Sequence, residues 1–468
     1  MLDGPEMPGI LVYLMPVLVG SLLGASVAYT ILSRRRTMKR YLYYSAFDPI
    51  LANLGFLFQF SGILLIPPIA YAYYLQEFEG GVAISLSCAA FLLLGLILSL
   101  FFEPKMLNLK QSCMLLVMYY TFVPLIISIQ FLHLGVFEGG FLDQFLSSWF
   151  EASSAVSTTG FTLLRGTETL RSIIMARAIT EWNGGIGIIF MLLSSFYPSL
   201  SLLSYGRALG IERLAGDYKV SFIIVVFIYA VYTALFSAIL LLLGMDPFTA
   251  LHTVLTVYST TGVTIIDVKA LPIHVQAVLA LIMLISALSF SLHLKVFSIL
   301  IGADWKSLLR GRLRDFLSSL RRTGLEPILT DETKLHVGLI FIFTLICWVV
   351  TRLDLFSSFL HVLSSSASVG LNIIDPQRMG DIGKIILVVV MLIGASSFSI
   401  GGGIKVYRFY ILWKIIMRLP RIFLTGEKPT LEINGRELEL SEIIVHLIII
   451  FLLIMVSFLG ALVLSIFG

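Results

Sequence analysis

The sequence predicts an all-α, polytopic membrane protein assembled from repeated units of helix, re-entrant loop and helix. Three observations carry that expectation. Apolar residues make up 58% of the 468-residue chain and charged residues only 13%, with a mean hydropathy of +0.97; so few charges do not cover the surface of a water-soluble domain. Apolar stretches of the length a helix needs to cross about 30 Å of hydrocarbon recur along the chain. One short polar pattern centred on glycine occurs three times, each time between apolar stretches.

Taken in chain order, Ile10 to Leu32 is the first apolar stretch. It follows an acidic leader (Asp3, Glu6) and lacks a basic n-region and a small-residue cleavage site, so it is expected to be a retained helix rather than a signal peptide. Val82 to Phe102, Val220 to Leu243 and Ile443 to Phe467 are further clear spans, and about nine or ten spanning helices are expected in all.

Charge placement orients them. The segments 34–40, 102–110, 201–219, 303–334 and 403–440 hold nearly all the connecting Lys and Arg, whereas the intervening set holds Arg165, Arg171, Lys269, Arg352 and Arg378. The positive-inside rule puts the first set in the cytoplasm and the N-terminus outside. Basic runs such as Arg34-Arg35-Arg36 and Arg321-Arg322 read as topology and headgroup determinants, so the lipid bilayer is the expected surroundings and no nucleic-acid partner is expected. Cys88, Cys113 and Cys347 lie in apolar runs without C-x-x-C spacing and are expected to be core thiols, neither a disulfide framework nor a zinc site.

The repeated pattern aligns Ser157-Thr158-Thr159-Gly160-Phe161-Thr162 with Ser259-Thr260-Thr261-Gly262-Val263-Thr264 and with Ala367-Ser368-Val369-Gly370-Leu371-Asn372. The glycines lie 102 and 108 residues apart. Each follows an apolar helix and a short half-apolar stretch (Phe145 to Val156, Ala250 to Val257, Phe359 to Ser365) and precedes another apolar helix. Both flanks of each loop fall outside by the charge count, so the half-helix and loop dip into the membrane and return. Irregular backbone at membrane depth is tolerated only where protein buries it or where it lines a watery cavity. A Thr/Ser-rich loop with one glycine offers carbonyl and hydroxyl oxygens to a partly dehydrated cation, and the glycine permits the backbone angles that aim carbonyls at an axis. The half-helix before it points its negative C-terminal end at the cavity, which favours a cation.

With these loops, the motifs Trp182-Asn183-Gly184-Gly185-Ile186-Gly187-Ile188, Ser289-Phe290-Ser291-Leu292-His293 and Gly401-Gly402-Gly403-Ile404-Lys405-Val406 make the sequence resemble the Trk/Ktr/HKT superfamily of potassium and sodium transporters, most closely its TrkH-like branch, from about residue 50 onward. The resemblance implies a pore of four helix-loop-helix units around a pseudo-fourfold axis, with one filter glycine per unit. The ion-binding filter positions would be Thr158, Thr159 and Gly160, then Thr260, Thr261 and Gly262, then Ser368, Val369 and Gly370.

The helix after the third loop would be broken by a gating segment matching Gly394 to Lys405, with Gly401, Gly402, Gly403 and Lys405 as its working residues. Composition agrees, because interior glycines cost about 1 kcal/mol each relative to alanine and serines compete for backbone bonds. The resemblance further implies K+, or else Na+, as the transported ion, by channel-like flow or by symport, and no tightly bound cofactor. It implies a homodimer served by a cytosolic nucleotide-binding regulatory subunit of the TrkA or KtrA type, in the plasma membrane of a prokaryote. The chain has no G-x-x-x-x-G-K-[ST] and no G-x-G-x-x-G after a strand, so that regulator is expected to be a separate chain.

The expected layout is an extra N-terminal helix and basic linker (1–40), a helix pair (41–109), three pore units (110–219, 220–334 and 335–440) and the first helix of a fourth unit (441–468). A fourth filter glycine is expected beyond position 468, so the fourth unit is read as incomplete, through truncation, a split gene or completion by another chain. Ala367-Ser368-Val369-Gly370 and Phe398-Ser399-Ile400 depart from the family pattern. Arg177 and Glu181, four apart on one helix face, are read as a structural ion pair. His293 and Lys295 are read as interfacial or satisfied polar residues, and Lys405 as either a snorkelling lysine or a gating group. A secondary carrier for a small solute and a non-conducting subunit are the alternatives. Without H-E-x-x-H, a G-x-S-x-G in a plausible context or paired intramembrane aspartates, no enzyme is expected.

Overall fold

The computed structural model describes residues 47–102, 107–164, 169–196, 218–302, 330–425, 431–433, 436–438 and 440–467. The expected first helix, Ile10 to Leu32, lies outside the described residues. The chain divides at Gly187 and Ile188 into two compact units, described in turn.

The first unit contains α1 (Asp48–Leu64), α2 (Ile66–Tyr74), α3 (Phe78–Phe101), α4 (Leu109–Leu134), the half-helix α5 (Phe141–Val156) and the start of α6 (Arg171–Phe196). Helix α1 packs along α3 and α4, and α4 along α5. Small residues permit that closeness in lipid: a Cβ on Gly95 would lie 2.8 Å from the Gly55 carbonyl. Asn108 starts α4 by accepting from the Gln111 N–H at 2.9 Å, and Gln111 returns the bond to the Asn108 N–H at 3.1 Å. The α5 start is fixed by the Asp143 carboxylate on the Gly140 N–H, 3.1 Å.

The second unit contains α7 (Tyr218–Leu242), the half-helix α8 (Pro247–Tyr258), α9 (Ile273–Ala287), α10 (Phe290–Gly302), α11 (Asp331–Thr351), the half-helix α12 (Leu355–Ala367), α13 (Gly380–Ile393), α14 (Val406–Thr425) and α15 (Leu440–Phe467). Helix α12 packs against α9, α11 and α13. The only strands among the described residues are β1 (Leu431–Ile433) and β2 (Arg436–Leu438), an antiparallel pair with Leu431 opposite Leu438. These two leucines are buried against Tyr407 and Ile411 of α14 and Ile443 of α15.

The structure corrects two expectations. Among the described residues, six helices are long and apolar enough to cross a membrane, or up to seven if a bent pair is one span. Helix α13 ends at Gly394 after 14 residues, at the expected break. Helices α9 and α10 meet at 102°, so the helix after the second loop is broken, where an unbroken span was expected. Cys88 and Cys347 are buried thiols, but Cys113 is exposed on the surface of α4.

Candidate functional site

All three half-helices end in the same backbone motif. The residue two before the loop glycine is left-handed in each case, Thr158 at φ +54°, Thr260 at +61° and Ser368 at +59°, and the glycines follow at +87°, +70° and +83°. The N–H of Thr159 bonds the Ser154 carbonyl, that of Thr261 the Thr256 carbonyl and that of Val369 the Ser364 carbonyl, each at 2.9 Å. The preceding N–H closes back three residues at 3.1 Å in all three. This is a Schellman closure, which normally carries glycine at the left-handed position. Two β-branched threonines and a serine there are strained choices of the kind found at functional sites.

The half-helices also start alike in the second unit. The Asp246 carboxylate accepts from the Phe248 and Thr249 N–H groups at 3.1 and 3.3 Å, and Asp354 accepts from the Ser357 N–H at 2.8 Å. The Ser357 hydroxyl and N–H hold the Asp354 carboxyl below its ordinary value. Five residues after the second and third glycines, Asp267 and Asp375 each cap a single 3-10 turn.

The backs of the loops differ. Behind the first, Arg177 donates from Nε to Glu151 and from Nη1 to Glu181, and from Nη2 to the Phe161 carbonyl at 3.1 Å. Glu151 accepts from the Thr162 hydroxyl at 2.9 Å and the Leu163 N–H at 2.6 Å. The expected Arg177–Glu181 pair is thus present, as part of a buried triad. Gly184 in the Trp182 motif lets α6 approach the loop, since a Cβ there would lie 2.0 Å from the Val156 carbonyl. Behind the third loop, His361 Nε2 accepts from the Ile374 N–H at 3.3 Å.

The second and third loops touch: a Cβ on Gly262 would lie 1.8 Å from the Val369 carbonyl. The third is also tied to the glycine-rich segment between α13 and α14. Ser368 Oγ accepts from the Gly402 N–H at 3.1 Å, and a Cβ on Gly401 would lie 2.8 Å from the Ala367 carbonyl. Gly403, at φ +84°, crosses Gly394 so closely that a Cβ would lie 2.6 Å from its Cα. Lys405 does not snorkel. Its ammonium donates to the Ser399 carbonyl at 3.1 Å, to the Ser399 hydroxyl at 3.3 Å and to the Gly401 carbonyl.

The break between α9 and α10 receives this segment. The Ser396 N–H bonds the Ala287 carbonyl at 3.0 Å, and the Phe290 N–H bonds the Phe398 carbonyl at 3.1 Å. Two helix interruptions therefore satisfy each other's backbone groups, which is what lipid demands of them. His293 Nε2 meets the Ile285 carbonyl at 3.1 Å. A carbonyl only accepts, so Nε2 carries the proton and Nδ1 accepts from the Tyr232 hydroxyl, also 3.1 Å away. His293 is a satisfied polar residue, as expected.

Sequence reasoning passed over Glu151, Glu332 and His336. Glu332 and His336, four apart on α11, both face the segment: Glu332 accepts from the Ser397 N–H at 2.5 Å, and His336 joins Ser396 Oγ at 2.8 Å to Ser366 Oγ at 2.9 Å. Titratable groups inside apolar helices were the available signal. No cluster of three or more His, Cys, Asp or Glu that could hold a metal ion occurs among the described residues. The loops offer hydroxyl and backbone oxygens, a weak field suited to an alkali ion in transit.

This architecture defines a multi-pass helical membrane protein with repeated re-entrant loops and broken helices. No protein-family model matches the chain. It is 24% identical over 438 residues to an uncharacterised cation transporter of Methanocaldococcus jannaschii, covering 89% of this chain and 82% of that protein. Over 383 residues it is 24% identical to the Trk system potassium uptake protein TrkH of Escherichia coli, covering 76% and 72%. Over 290 residues it is 28% identical to TrkH of Halomonas elongata, covering 58% and 55%. The crystal structure of the potassium transporter TrkH from Vibrio parahaemolyticus shares the fold, with a TM-score of 0.66 at 19% identity over 84% of this chain and 80% of that one. By sequence the chain is similar to cation and potassium transporters of the TrkH type, and it shares the TrkH fold.

Proposed function

We propose that the chain translocates potassium across the plasma membrane of a prokaryote as the channel-like subunit of a Trk-type uptake system. The observation that carries the reading is the identical backbone of the three loops: one closure and two left-handed positions, set at the ends of half-helices whose negative dipole ends meet the loop. Thr158 to Gly160, Thr260 to Gly262 and Ser368 to Gly370 supply the oxygens of the filter. Names of relatives support potassium as the ion.

Gly401, Gly402, Gly403 and Lys405 form the gate. The segment is held by side-chain and backbone hydrogen bonds and no covalent link among the described residues, so it is retained when closed and releasable. The pore units follow the boundaries 110–219, 220–334 and 335–440. The translocating assembly is a homodimer, regulated by a separate nucleotide-binding chain in the cytosol. It carries no resident cofactor and catalyses no covalent step.

Reconstitution into liposomes tests this. A K+ gradient is expected to drive Rb+ uptake that Gly160→Ser reduces or makes less selective. Uptake of an uncharged solute, with no cation flux, would overturn the reading in favour of a carrier.

A further inference from the structure

We propose that Arg177, clamped between Glu151 and Glu181, is a positioning residue that sets ion preference at the first loop by fixing the Phe161 carbonyl just after the filter glycine. The inference rests on the reading of Thr158 to Gly160 as filter.

Gly160, at φ +87°, has no side chain to decide which way the following peptide faces. Something else must hold that peptide. The Phe161 carbonyl accepts from Ser154 Oγ at 2.6 Å and from Arg177 Nη2 at 3.1 Å. The next two residues are anchored to the same cluster, Thr162 through its hydroxyl and Leu163 through its N–H, both on Glu151. Three consecutive residues of the exit strand are therefore tied to one ionic group. Glu151 and Glu181 are 0% exposed and Arg177 is 4% exposed.

The clamp belongs to the first loop and not to the repeat. Nine residues before the glycine, where the first loop has Glu151, the second has Thr253 and the third His361. The Thr253 hydroxyl has no hydrogen-bond partner among the described residues, and His361, an uncharged imidazole ring in place of a carboxylate, meets its exit segment through Nε2 at 3.3 Å from the Ile374 N–H. A buried ion triad is expensive to desolvate, and apolar side chains would fill the same volume at least as stably. Its bonds run to the loop, and a planar guanidinium aims donors in fixed, divergent directions at two carboxylates and a carbonyl, where an ammonium donates from one point. The number and placement of coordinating carbonyl dipoles set the field an ion meets in a filter, so an oxygen held in one position fixes its share of that field.

The test measures the K+/Na+ permeability ratio from zero-current potentials in liposomes, with folding followed by gel filtration and thermal unfolding. Ser154→Ala removes one donor to the Phe161 carbonyl without touching the charges. Arg177→Lys keeps the charge and loses the fork. Both are expected to lower the ratio several-fold while flux is retained, and Arg177→Gln to lower it by roughly tenfold, the factor that about 1.4 kcal/mol represents. Should Arg177→Gln fail to fold, the other two variants decide. An unchanged ratio in both overturns the inference and leaves the filter intact; wild-type liposomes that pass no cation would instead overturn the filter reading.

Discussion

At the scale of single residues, the three loop glycines share a left-handed φ, but Gly262 and Gly370 have different neighbours, and this separates their substitutions. A methyl group on Gly370 meets nothing within 4 Å, so Gly370→Ala is expected to cost about 1–2 kcal/mol, the left-handed penalty alone. On Gly262 the same methyl would sit 1.8 Å from the Val369 carbonyl. Gly262→Ala is therefore expected to force the second and third loops apart, with a larger loss in thermal unfolding and loss of ion flux. Equal effects at the two sites would contradict the observed contact. The glycines themselves were legible, because only glycine occupies such torsions freely. The left-handed Thr158, Thr260 and Ser368 were not, since threonine disfavours that region and only the surrounding closure imposes it.

Among the elements, the half-helices were read three or four residues too short at their starts, where Gly140, Asp246 and Asp354 act as caps. Asp354→Ala is expected to destabilise the third half-helix by about 1 kcal/mol, and Asp354→Asn by little. The sign of the pH effect follows from the lowered Asp354 carboxyl: its contribution is present above the ordinary carboxylate value and is lost as pH falls through the folded-state value. Asp354→Asn is expected to flatten that acid limb of a thermal-unfolding profile, and an unchanged limb would contradict the assignment. The break at Gly394 to Lys405 was visible in composition, whereas the break at Leu288 was not. No glycine or proline marks Leu288 or Ser289, and the interruption exists because Ser396 and Phe398, distant in sequence, supply its missing backbone partners. His336→Leu removes the link between Ser396 and Ser366. If the segment is the gate, faster Rb+ flux is expected from that variant, and unaltered flux would argue that His336 only packs.

For the whole molecule, hydropathy, charge placement and the threefold pattern were enough to read a helical membrane protein of repeated loops. The 102° bend between α9 and α10 was not legible in hydropathy, because a broken helix is as apolar as an unbroken one. The hairpin of β1 and β2 was missed, although Asn434-Gly435 between alternating residues is a strong hairpin signal. Long-range pairing, such as Glu151 with Arg177 or Glu332 with Ser397, has no local signature beyond a charge in an apolar helix. The central proposal is that loop oxygens beside the three glycines hold a dehydrated alkali ion. Anomalous diffraction from crystals soaked in Rb+ tests it most directly: the account predicts a Rb+ peak against oxygens of residues 158–160, 260–262 or 368–370. Ordered loops without such a peak, or a Rb+ peak bound only elsewhere in the protein, would contradict it.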